Sequence, residues 1–333
     1  MKKILITGVA GLIGSHLLDE IMEFTSDHVI GLDTLQTSNL KHIEHHLKNP
    51  RFEFIQQDVM NIDTLSEKKW CDIDTIVHLA AAKKSGEDGS GYETFRINFS
   101  GTEKVLNFAK RLSATFIFAS TSDVYGVSKD LPFHEEQNLV LGPSPVKRWS
   151  YAVSKLAAEH LCFAYYKEFG VPIIILRYFG AFSHRSHQSW RGGHIPIFID
   201  AILNHKSVIV HGTGRQTRSM THATDIASGT LMAIYCKNAI GKIVNLGSTE
   251  EVSILETIKL IERISGKSAQ IQFIPHKELF GNYEEIQRRI PNLSLAKKLL
   301  SYVPKISFYV GLQKTISLWQ LIFYYDLFSY SRL

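Results

Sequence analysis

Two side chains near the middle of the chain have the types and spacing of a proton-transfer pair. Tyr151 and Lys155 lie four residues apart at the start of a segment with helical periodicity, so both are expected on one helix face. A phenol with a pKa of about 10 is a weak base at neutral pH, but a neighbouring ammonium group stabilises the phenolate and lowers that pKa. We therefore expect Tyr151, assisted by Lys155, to remove a proton from a substrate hydroxyl group.

Hydroxyl and carboxylate side chains follow the predicted strand that precedes this helix. They are Ser120, Thr121, Ser122 and Asp123. In α/β folds with parallel sheets, ligands bind beyond the carboxyl ends of the strands. The predicted catalytic group is therefore Thr121, Ser122, Asp123, Tyr151 and Lys155.

The glycine spacing at the start of the chain predicts a turn that binds phosphate. Gly8, Gly11 and Gly14 link a short apolar strand to a helix, and such glycines let a pyrophosphate approach the backbone at the helix N-terminus. Asp33 ends a second apolar strand, at the position where an acid binds the adenosine ribose hydroxyl groups. An acid there repels the 2′-phosphate of NADP, and residues 34–37 contain no arginine to neutralise one. The sequence therefore predicts NAD as the cofactor.

Apolar runs alternate with segments of helical periodicity along the first half of the chain. Beyond the first two strands they occupy residues 52–56, 73–78, 114–120 and 171–178. This alternation predicts an α/β fold with a Rossmann-type doubly wound parallel sheet and a smaller C-terminal substrate-binding lobe. We expect an NAD-binding domain at residues 1–178, with a returning segment near 208–246, and a substrate-binding lobe at residues 179–207 and 247–333.

The composition is that of an ordinary globular protein rather than a nucleic-acid binder. The chain has 333 residues, 44% of them hydrophobic and 21% charged, and a net charge of +5 that is too small to indicate nucleic-acid binding but suits an anionic small substrate. Its 3 cysteines lie far apart and predict neither a disulfide framework nor a zinc site, as expected in the cytoplasm. No membrane span is expected. The aromatic tail near residues 316–330 is interpreted as a helix packed on the core or on another subunit, with contact to a membrane surface as the alternative.

Three histidines after the second strand have the spacing of helix neighbours. His42, His45 and His46 are imaginable as metal ligands, but no cysteine or carboxylate cluster accompanies them in the sequence. We therefore predict that no metal is bound.

Taken together, the motifs resemble the extended short-chain dehydrogenase/reductase family, and within it the nucleotide-sugar epimerases, dehydratases and decarboxylases. The resemblance covers nearly the whole chain and rests on Gly8-x-x-Gly11-x-x-Gly14, Asp58-Val59, residues 78–81, Asn98 with Gly101-Thr102, residues 120–126, Tyr151 with Lys155, residues 176–179, residues 212–218, and Arg289-Ile-Pro-Asn292. It implies an NAD-dependent enzyme that acts on a nucleotide sugar, with UDP as the expected nucleotide, and that pairs as a homodimer.

The resemblance also implies roles for particular residues. Thr121 is expected to bond the sugar oxygen that is oxidised, and arginines are expected to bind the diphosphate. The implied cofactor residues are Gly8, Gly11, Leu12, Ile13, Gly14, Asp33, Asp58, Val59, Leu79, Ala80, Ala81, Lys83, Asn98, Ser120, Tyr151, Lys155 and Tyr178. The implied substrate residues are Gly180, Arg185, Arg218 and either Arg288 or Arg289.

Two departures from the family pattern bear on the reaction. Gly180 stands where the family has a substrate-contacting asparagine, which predicts an altered or enlarged sugar pocket. Asp123 stands where related dehydratases and decarboxylases carry glutamate, and a carboxylate set further back weakens proton transfer at C5. We therefore favour a UDP-sugar 4-epimerase. A 4,6-dehydratase, a UDP-glucuronate decarboxylase and a non-catalytic dinucleotide-binding scaffold remain alternatives.

Overall fold

A computed structural model describes residues 1–65, 70–82, 91–189, 192–275 and 286–330, with side chains described as far as residue 321. Within these residues the strands are β1 Lys3–Thr7, β2 His28–Asp33, β3 Phe52–Gln56, β4 Thr75–His78, β5 Thr115–Thr121, β6 Ile173–Tyr178, β7 Ala181–Phe182, β8 Ser207–His211, β9 Thr217–Ser219, β10 Thr221–His222, β11 Lys242–Leu246, β12 Glu251–Ser253 and β13 Gln270–Ile274. The helices are α1 Leu12–Phe24, α2 Gly91–Phe95, α3 Thr102–Leu112, α4 Trp149–Phe169, α5 His194–Leu203, α6 Ala223–Tyr235, α7 Ile254–Ser265, α8 Ser294–Leu300 and α9 Phe308–Tyr330.

Seven parallel strands form the central sheet in the order β11-β6-β5-β4-β1-β2-β3. The strands read as apolar runs because helices cover both faces of the sheet, so successive side chains are buried whichever way they point. One core lies between the sheet and α1 and α6, and the other between the sheet and α3 and α4. The predicted Rossmann-type doubly wound sheet is confirmed.

Local capping signals fix where several helices begin and end. Ser253 and Glu256 form a reciprocal capping box at the start of α7, and the helix ends at Gly266 in the left-handed conformation. Helix α4 ends in the same way at Gly170, with φ 70°. That stop sets the length of the helix that carries Tyr151 and Lys155.

The smaller lobe has its own core, to which α5, α7 and α9 contribute. Strand β8 pairs with β13 in a separate two-stranded sheet, and β9 pairs with β12 in another. The chain rejoins the main fold through α6, which packs against α1, and β11, which extends the central sheet. The first part of the predicted returning segment, near residues 208–219, therefore pairs outside the central sheet.

The C-terminal helix packs its described part against the smaller lobe. Phe308, Leu312, Ile316 and Trp319 are buried in that core. The first residues of the aromatic tail, Ile316 and Trp319, are therefore part of the core of the smaller lobe. Among the described residues, none of the helices combines the length and the apolar character that crossing a membrane requires.

Candidate active site

The turn between β1 and α1 forms one wall of a cleft at the carboxyl edge of the sheet. Gly8 has φ +77°, and a Cβ atom there would lie 2.8 Å from the backbone nitrogen of Ala80. A Cβ atom on Gly14 would lie 2.2 Å from the carbonyl oxygen of Gly8. Glycine is therefore required at both positions, and the backbone at the N-terminus of α1 stays open to a pyrophosphate, as NAD binding demands.

Asp33 closes the adenosine end of this cleft. Its Oδ2 accepts a hydrogen bond from the Ala10 backbone N–H at 3.0 Å, and its Oδ1 accepts bonds from the Leu35 N–H at 2.9 Å and the Ser38 hydroxyl at 2.7 Å. These bonds hold the carboxylate at the carboxyl end of β2, on the wall of the cleft. A held carboxylate is suited to accepting bonds from two ribose hydroxyl groups and to repelling a phosphate.

The cleft has a volume of about 1090 Å³, and most of the predicted cofactor residues line it: Gly8, Gly11, Leu12, Ile13, Gly14, Asp33, Asp58, Val59, Leu79, Ala80, Ala81, Ser120, Tyr151, Lys155 and Tyr178. Asn98 lies behind this wall instead of on it. It is fully buried, and its amide bonds the backbone N–H and carbonyl of Ala82 and the Ser154 hydroxyl. Asn98 therefore positions the wall. Lys83 lies outside the described residues.

Tyr151 and Lys155 both reach the cleft from the first turns of α4. The Lys155 ammonium donates a hydrogen bond to the Ala119 carbonyl at 2.8 Å and lies 4.6 Å from the centre of the Phe118 ring. Burial lowers the pKa of Lys155 to about 8. Lys155 therefore lies next to the end of β5 in a buried position, where desolvation disfavours its charged form.

The pKa of Tyr151 differs from the sequence-based expectation in its direction. Burial raises it above the ordinary value, the negative charge of Asp123 raises it further, and a hydrogen bond with Thr121 lowers it. The prediction that Lys155 lowers the pKa of this phenol is therefore wrong for the protein alone. Desolvation of the phenolate is the largest effect, and the Lys155 ammonium bonds a backbone carbonyl.

Asp123 connects this pair to two arginines. Its Oδ1 lies 2.6 Å from a guanidinium nitrogen of Arg289 and 4.0 Å from one of Arg148. Its Oδ2 accepts a hydrogen bond from the Thr121 hydroxyl at 3.2 Å. Since Thr121 also bonds Tyr151, a continuous polar chain runs from Tyr151 through Thr121 and Asp123 to Arg289. Both oxygens of Asp123 are engaged.

The other predicted arginines lie in different surroundings. Arg288 makes a two-pronged pair with Glu251 at 2.9 and 2.8 Å, and 55% of its side chain is exposed, so of the two late arginines it is Arg289 that lies at the site. Arg218 donates to the backbone carbonyls of Thr217 and Ile286 at 2.7 and 2.8 Å. Its bond to Ile286 anchors the segment that carries Arg289.

Arg185 lies on the cofactor side of the cleft. Its guanidinium pairs with Asp19 of α1 at 2.7 Å. The adjacent carbonyl of His184 accepts a hydrogen bond from the Trp319 indole of α9 at 2.7 Å. His184, Arg185 and Trp319 all line the cleft. The segment that contains Arg185, which was predicted to bind substrate, is thus held at the wall of the cofactor cleft by one contact with α1 and one with α9.

Gly180 does not enlarge the sugar pocket in the direction of its own missing side chain. A Cβ atom there would lie 2.4 Å from the Met220 sulfur, so the Met220 side chain fills the space that an asparagine would need. Met220 is buried. The pocket is therefore altered at Gly180 but not enlarged there, because Met220, between β9 and β10, fills the volume.

A buried ion pair supports the strand end that carries the site. The carboxylate of Glu159 receives bonds from Arg177 at 3.0 and 2.7 Å and from the Ser120 hydroxyl at 2.5 Å. Both charged side chains are 3% exposed. This pair fixes the end of β5 against α4. Ser122, two residues beyond Ser120, is buried in the turn after β5.

Sequence reasoning missed Arg148, Met220 and Asp19 as parts of the site or its surroundings. Arg148 stands in the Arg-Trp-x-Tyr run before Tyr151, so its place beside a reactive residue was a usable signal. Met220 and Asp19 gave no such signal, because their partners lie 40 and 166 residues away along the chain.

The comparisons with known proteins agree with this geometry. A model of the NAD dependent epimerase/dehydratase family matches residues 4–247. UDP-glucuronic acid decarboxylase 1 of Danio rerio is 35% identical over 316 residues, covering 95% of this chain and 72% of that protein. UDP-N-acetyl-alpha-D-glucosaminuronate decarboxylase of Bacillus cytotoxicus is 34% identical over 319 residues, covering 95% and 97%. The structure of UDP-glucuronic acid 4-epimerase from Bacillus cereus with UDP-glucuronic acid and NAD is 35% identical, covers 96% of this chain and 99% of that one, and superposes with a TM-score of 0.85.

Proposed function

The chain belongs to the NAD dependent epimerase/dehydratase family, and we propose that within this family it is a 4-epimerase of a UDP-linked hexuronic acid. As an NAD-dependent nucleotide-sugar epimerase/dehydratase, it works on a sugar that is oxidised at C4. The finer assignment is supported by the charge around Asp123. The guanidinium groups of Arg289 and Arg148 both face the Asp123 carboxylate, so these three side chains together carry a net positive charge that suits a sugar carboxylate.

The first step assigns a proton transfer to the polar chain at the strand end. Tyr151 takes the proton of the C4 hydroxyl, directly or through the Thr121 hydroxyl to which it is bonded. It does so as phenolate, a form that burial disfavours in the protein alone and that the positive charge of a bound nicotinamide ring would favour. Lys155 holds the end of β5 through the Ala119 carbonyl and keeps a cation beside the site. NAD, held by the glycine turn and Asp33, would supply the acceptor for the C4 hydride and its later donor. For epimerisation the 4-keto sugar turns over between the two hydride transfers, so that C4 is reduced on its opposite face, and the Tyr151 phenol then gives its proton to the new C4 alkoxide.

The choice of epimerisation rests on what holds the sugar carboxylate. In a 4-keto hexuronate the carboxylate is attached to the carbon next to the ketone, so it can leave as carbon dioxide with its electron pair passing into the ketone. A cation bonded to the carboxylate opposes that loss, because the bond stabilises the charge that departs. Arg289 and Arg148 both lie beside Asp123, which in turn bonds Thr121, so we assign the bond to the sugar carboxylate to these two guanidinium groups.

Asp123 fits this proposal as a positioning group. A proton donor to C5 after loss of carbon dioxide, or a base that removes the C5 proton, needs a carboxyl oxygen that is free to face C5. Here one oxygen receives Arg289 and the other receives Thr121. Asp123 therefore orients the arginine and the threonine, and an epimerase needs nothing more of it.

Decarboxylation of the same substrate is the second candidate, and a specific observation favours it. The relatives from Danio rerio and Bacillus cytotoxicus carry the names of uronate decarboxylases at 35% and 34% identity over nearly this whole chain. Both candidates share the C4 oxidation and the UDP-hexuronate. They differ only in the fate of the carboxylate.

Incubation with UDP-glucuronic acid tests the proposal. Products are separated by ion-pair chromatography with mass detection, and Tyr151→Phe serves as the control for contaminating activity. A product of unchanged mass and altered retention supports a 4-epimerase. A product lighter by carbon dioxide overturns it in favour of decarboxylation. Turnover of UDP-glucose in place of UDP-glucuronic acid overturns the hexuronate assignment.

We also propose a homodimer in the cytoplasm. Helix α4 leaves the apolar and aromatic side chains of Val153, Tyr166 and Phe169 exposed at 37%, 37% and 49%, and contact with a second copy of the chain would cover such groups. The described cysteines, Cys71, Cys162 and Cys236, are all free thiols, as a reducing compartment allows. Light scattering coupled to size-exclusion chromatography tests the dimer, and a monomer at micromolar concentration contradicts it.

A further inference from the structure

We propose that Asp19, His45 and His46 form a binding site for a divalent transition metal, with Zn²⁺ as the reference ion, at the rim of the cofactor cleft. This inference is independent of the proposed function. It rests on three side chains that the catalytic scheme does not use. Asp19 lies on the second turn of α1, and the histidines lie on the short helical turn Glu44–His46 that follows β2.

The ligand atoms already converge. The Nε2 atoms of His45 and His46 each lie 2.8 Å from the same Oδ1 of Asp19, and the three ligand atoms all lie within 4.8 Å of one another. Zinc takes imidazole nitrogen and carboxylate oxygen at about 2.0–2.2 Å, which places tetrahedral ligands roughly 3.4 Å apart. Each Asp19–histidine pair, now at 2.8 Å, therefore needs to open by about 0.6 Å, and the two Nε2 atoms, which lie within 4.8 Å of each other, need to reach the same spacing, with water completing the shell.

The donor set selects the class of metal. Two imidazoles and one carboxylate favour Zn²⁺, Ni²⁺ and Cu²⁺ over Mg²⁺ and Ca²⁺, which prefer oxygen ligands. Without metal, each ring presents an N–H to Asp19. Metal binding moves those ring protons to the other nitrogen or to solvent and replaces two hydrogen bonds with coordination bonds.

The carboxylate is oriented from its other side. Arg185 pairs with Oδ2 of Asp19 at 2.7 Å and leaves Oδ1 facing the histidines. Metal-bound carboxylates commonly have such an outer partner, which fixes the ligand and is itself worth about 10–100-fold in metal affinity. The pairing also joins the site to the segment fastened over the cofactor cleft, of which His45 and Arg185 both form part of the lining.

The third ligand is distant from the two histidines in the sequence. Asp19 precedes His45 by 26 residues and belongs to a different element. The prediction of no metal depended on the lack of a carboxylate near the three histidines. Folding α1 against the segment after β2 supplies that carboxylate, whereas the third histidine of the predicted group, His42, turns away and bonds the Ala10 carbonyl at 2.9 Å.

Isothermal titration of tag-free protein with ZnCl₂ tests the proposal. We expect one Zn²⁺ per chain, at least tenfold weaker binding in both His46→Ala and Asp19→Asn, and unchanged binding in His160→Ala, which removes an exposed histidine of α4. MgCl₂ should give no binding. Thermal melts confirm that each variant is folded, and His45→Gln provides a second ligand substitution that keeps a polar side chain.

Three outcomes overturn the proposal. They are the absence of stoichiometric Zn²⁺ binding by the wild-type protein, equal affinity in the His46→Ala, Asp19→Asn and His160→Ala variants, and equal affinity for Mg²⁺. Because binding is read from heat rather than from turnover, a negative result here leaves the 4-epimerase proposal untouched. A failure of that proposal likewise leaves the metal titration unaffected.

Discussion

Replacing Asp123 with asparagine separates the two candidate reactions. Asp123→Asn keeps the size of the side chain and removes its charge. In a 4-epimerase no proton passes through Asp123, so the variant loses only the orientation of Arg289 and Thr121. In a decarboxylase or dehydratase that uses this carboxyl for proton transfer at C5, the same change removes a catalytic group.

The size of the expected loss follows from the contacts. A hydrogen bond to a charged group contributes about 1.5–3 kcal/mol and a neutral one about 0.5–1.5 kcal/mol, so each of the two bonds to Asp123 weakens by roughly 1 kcal/mol. The Asp123 and Arg289 side chains are 24% and 14% exposed, so solvent screening reduces the ionic share. The combined loss is at most about 2 kcal/mol, or roughly thirtyfold in rate. Removing a general acid or base costs about 10²–10⁴-fold.

The assay is the initial rate of conversion of UDP-glucuronic acid, with absorbance of bound NADH followed after a single addition of substrate. We expect a loss of less than about thirtyfold and no accumulation of NADH. The acidic limb of the pH dependence of kcat/KM should also move to lower pH, because the negative charge of Asp123 raises the pKa of Tyr151. Asp130→Asn, an exposed carboxylate, is the matched control. A loss beyond about 100-fold with NADH trapped on the enzyme refutes the reasoning.

Four further predictions follow from the site. Tyr151→Phe should abolish turnover and leave NAD content and nucleotide-sugar binding nearly unchanged, since it removes only the titrating oxygen; near-normal turnover rules out this base. Lys155→Met should be inactive yet more stable than the wild type at pH 7, by about 1–3 kcal/mol, because the buried Lys155 has a pKa of about 8 against about 10.4 in the unfolded chain. The wild-type protein binds fewer protons folded than unfolded between these values, so its stability should rise from pH 8 to pH 10 and the advantage of the variant should shrink, as denaturant unfolding would measure. Arg185→Gln should increase the loss of NAD during dialysis, because it breaks the pair with Asp19. Unchanged retention of NAD would show that this pair does not hold the Arg185 segment at the cleft. Asp33→Ala should narrow the preference for NAD over NADP in titrations, and equal affinities in the wild type would reject the role of this carboxylate.

The sequence by itself determined the parts of this protein that depend on local spacing and on residue type. Gly8 and Gly14 predict the cofactor turn because their spacing between an apolar strand and a helix is typical of a turn that binds a pyrophosphate. The pairing of Tyr151 with Lys155 follows from their spacing on one helix, and both line the cleft. The parallel sheet follows from apolar runs that alternate with helical periodicity. None of these inferences needs knowledge of a distant contact.

The tertiary structure decided what depends on contacts between distant residues. It brought Arg289 to Asp123 and left its neighbour Arg288 on the surface with Glu251, a choice that adjacency in sequence cannot make. It filled the space beside Gly180 with the side chain of Met220. It also set the direction of the Tyr151 pKa shift, because desolvation depends on how much of the fold surrounds a group and outweighs a single nearby charge. Burial and pairing between residues distant in the sequence are properties of the packed molecule. For that reason the partners of Asp123, and its role beside them, could be assigned only from the tertiary structure.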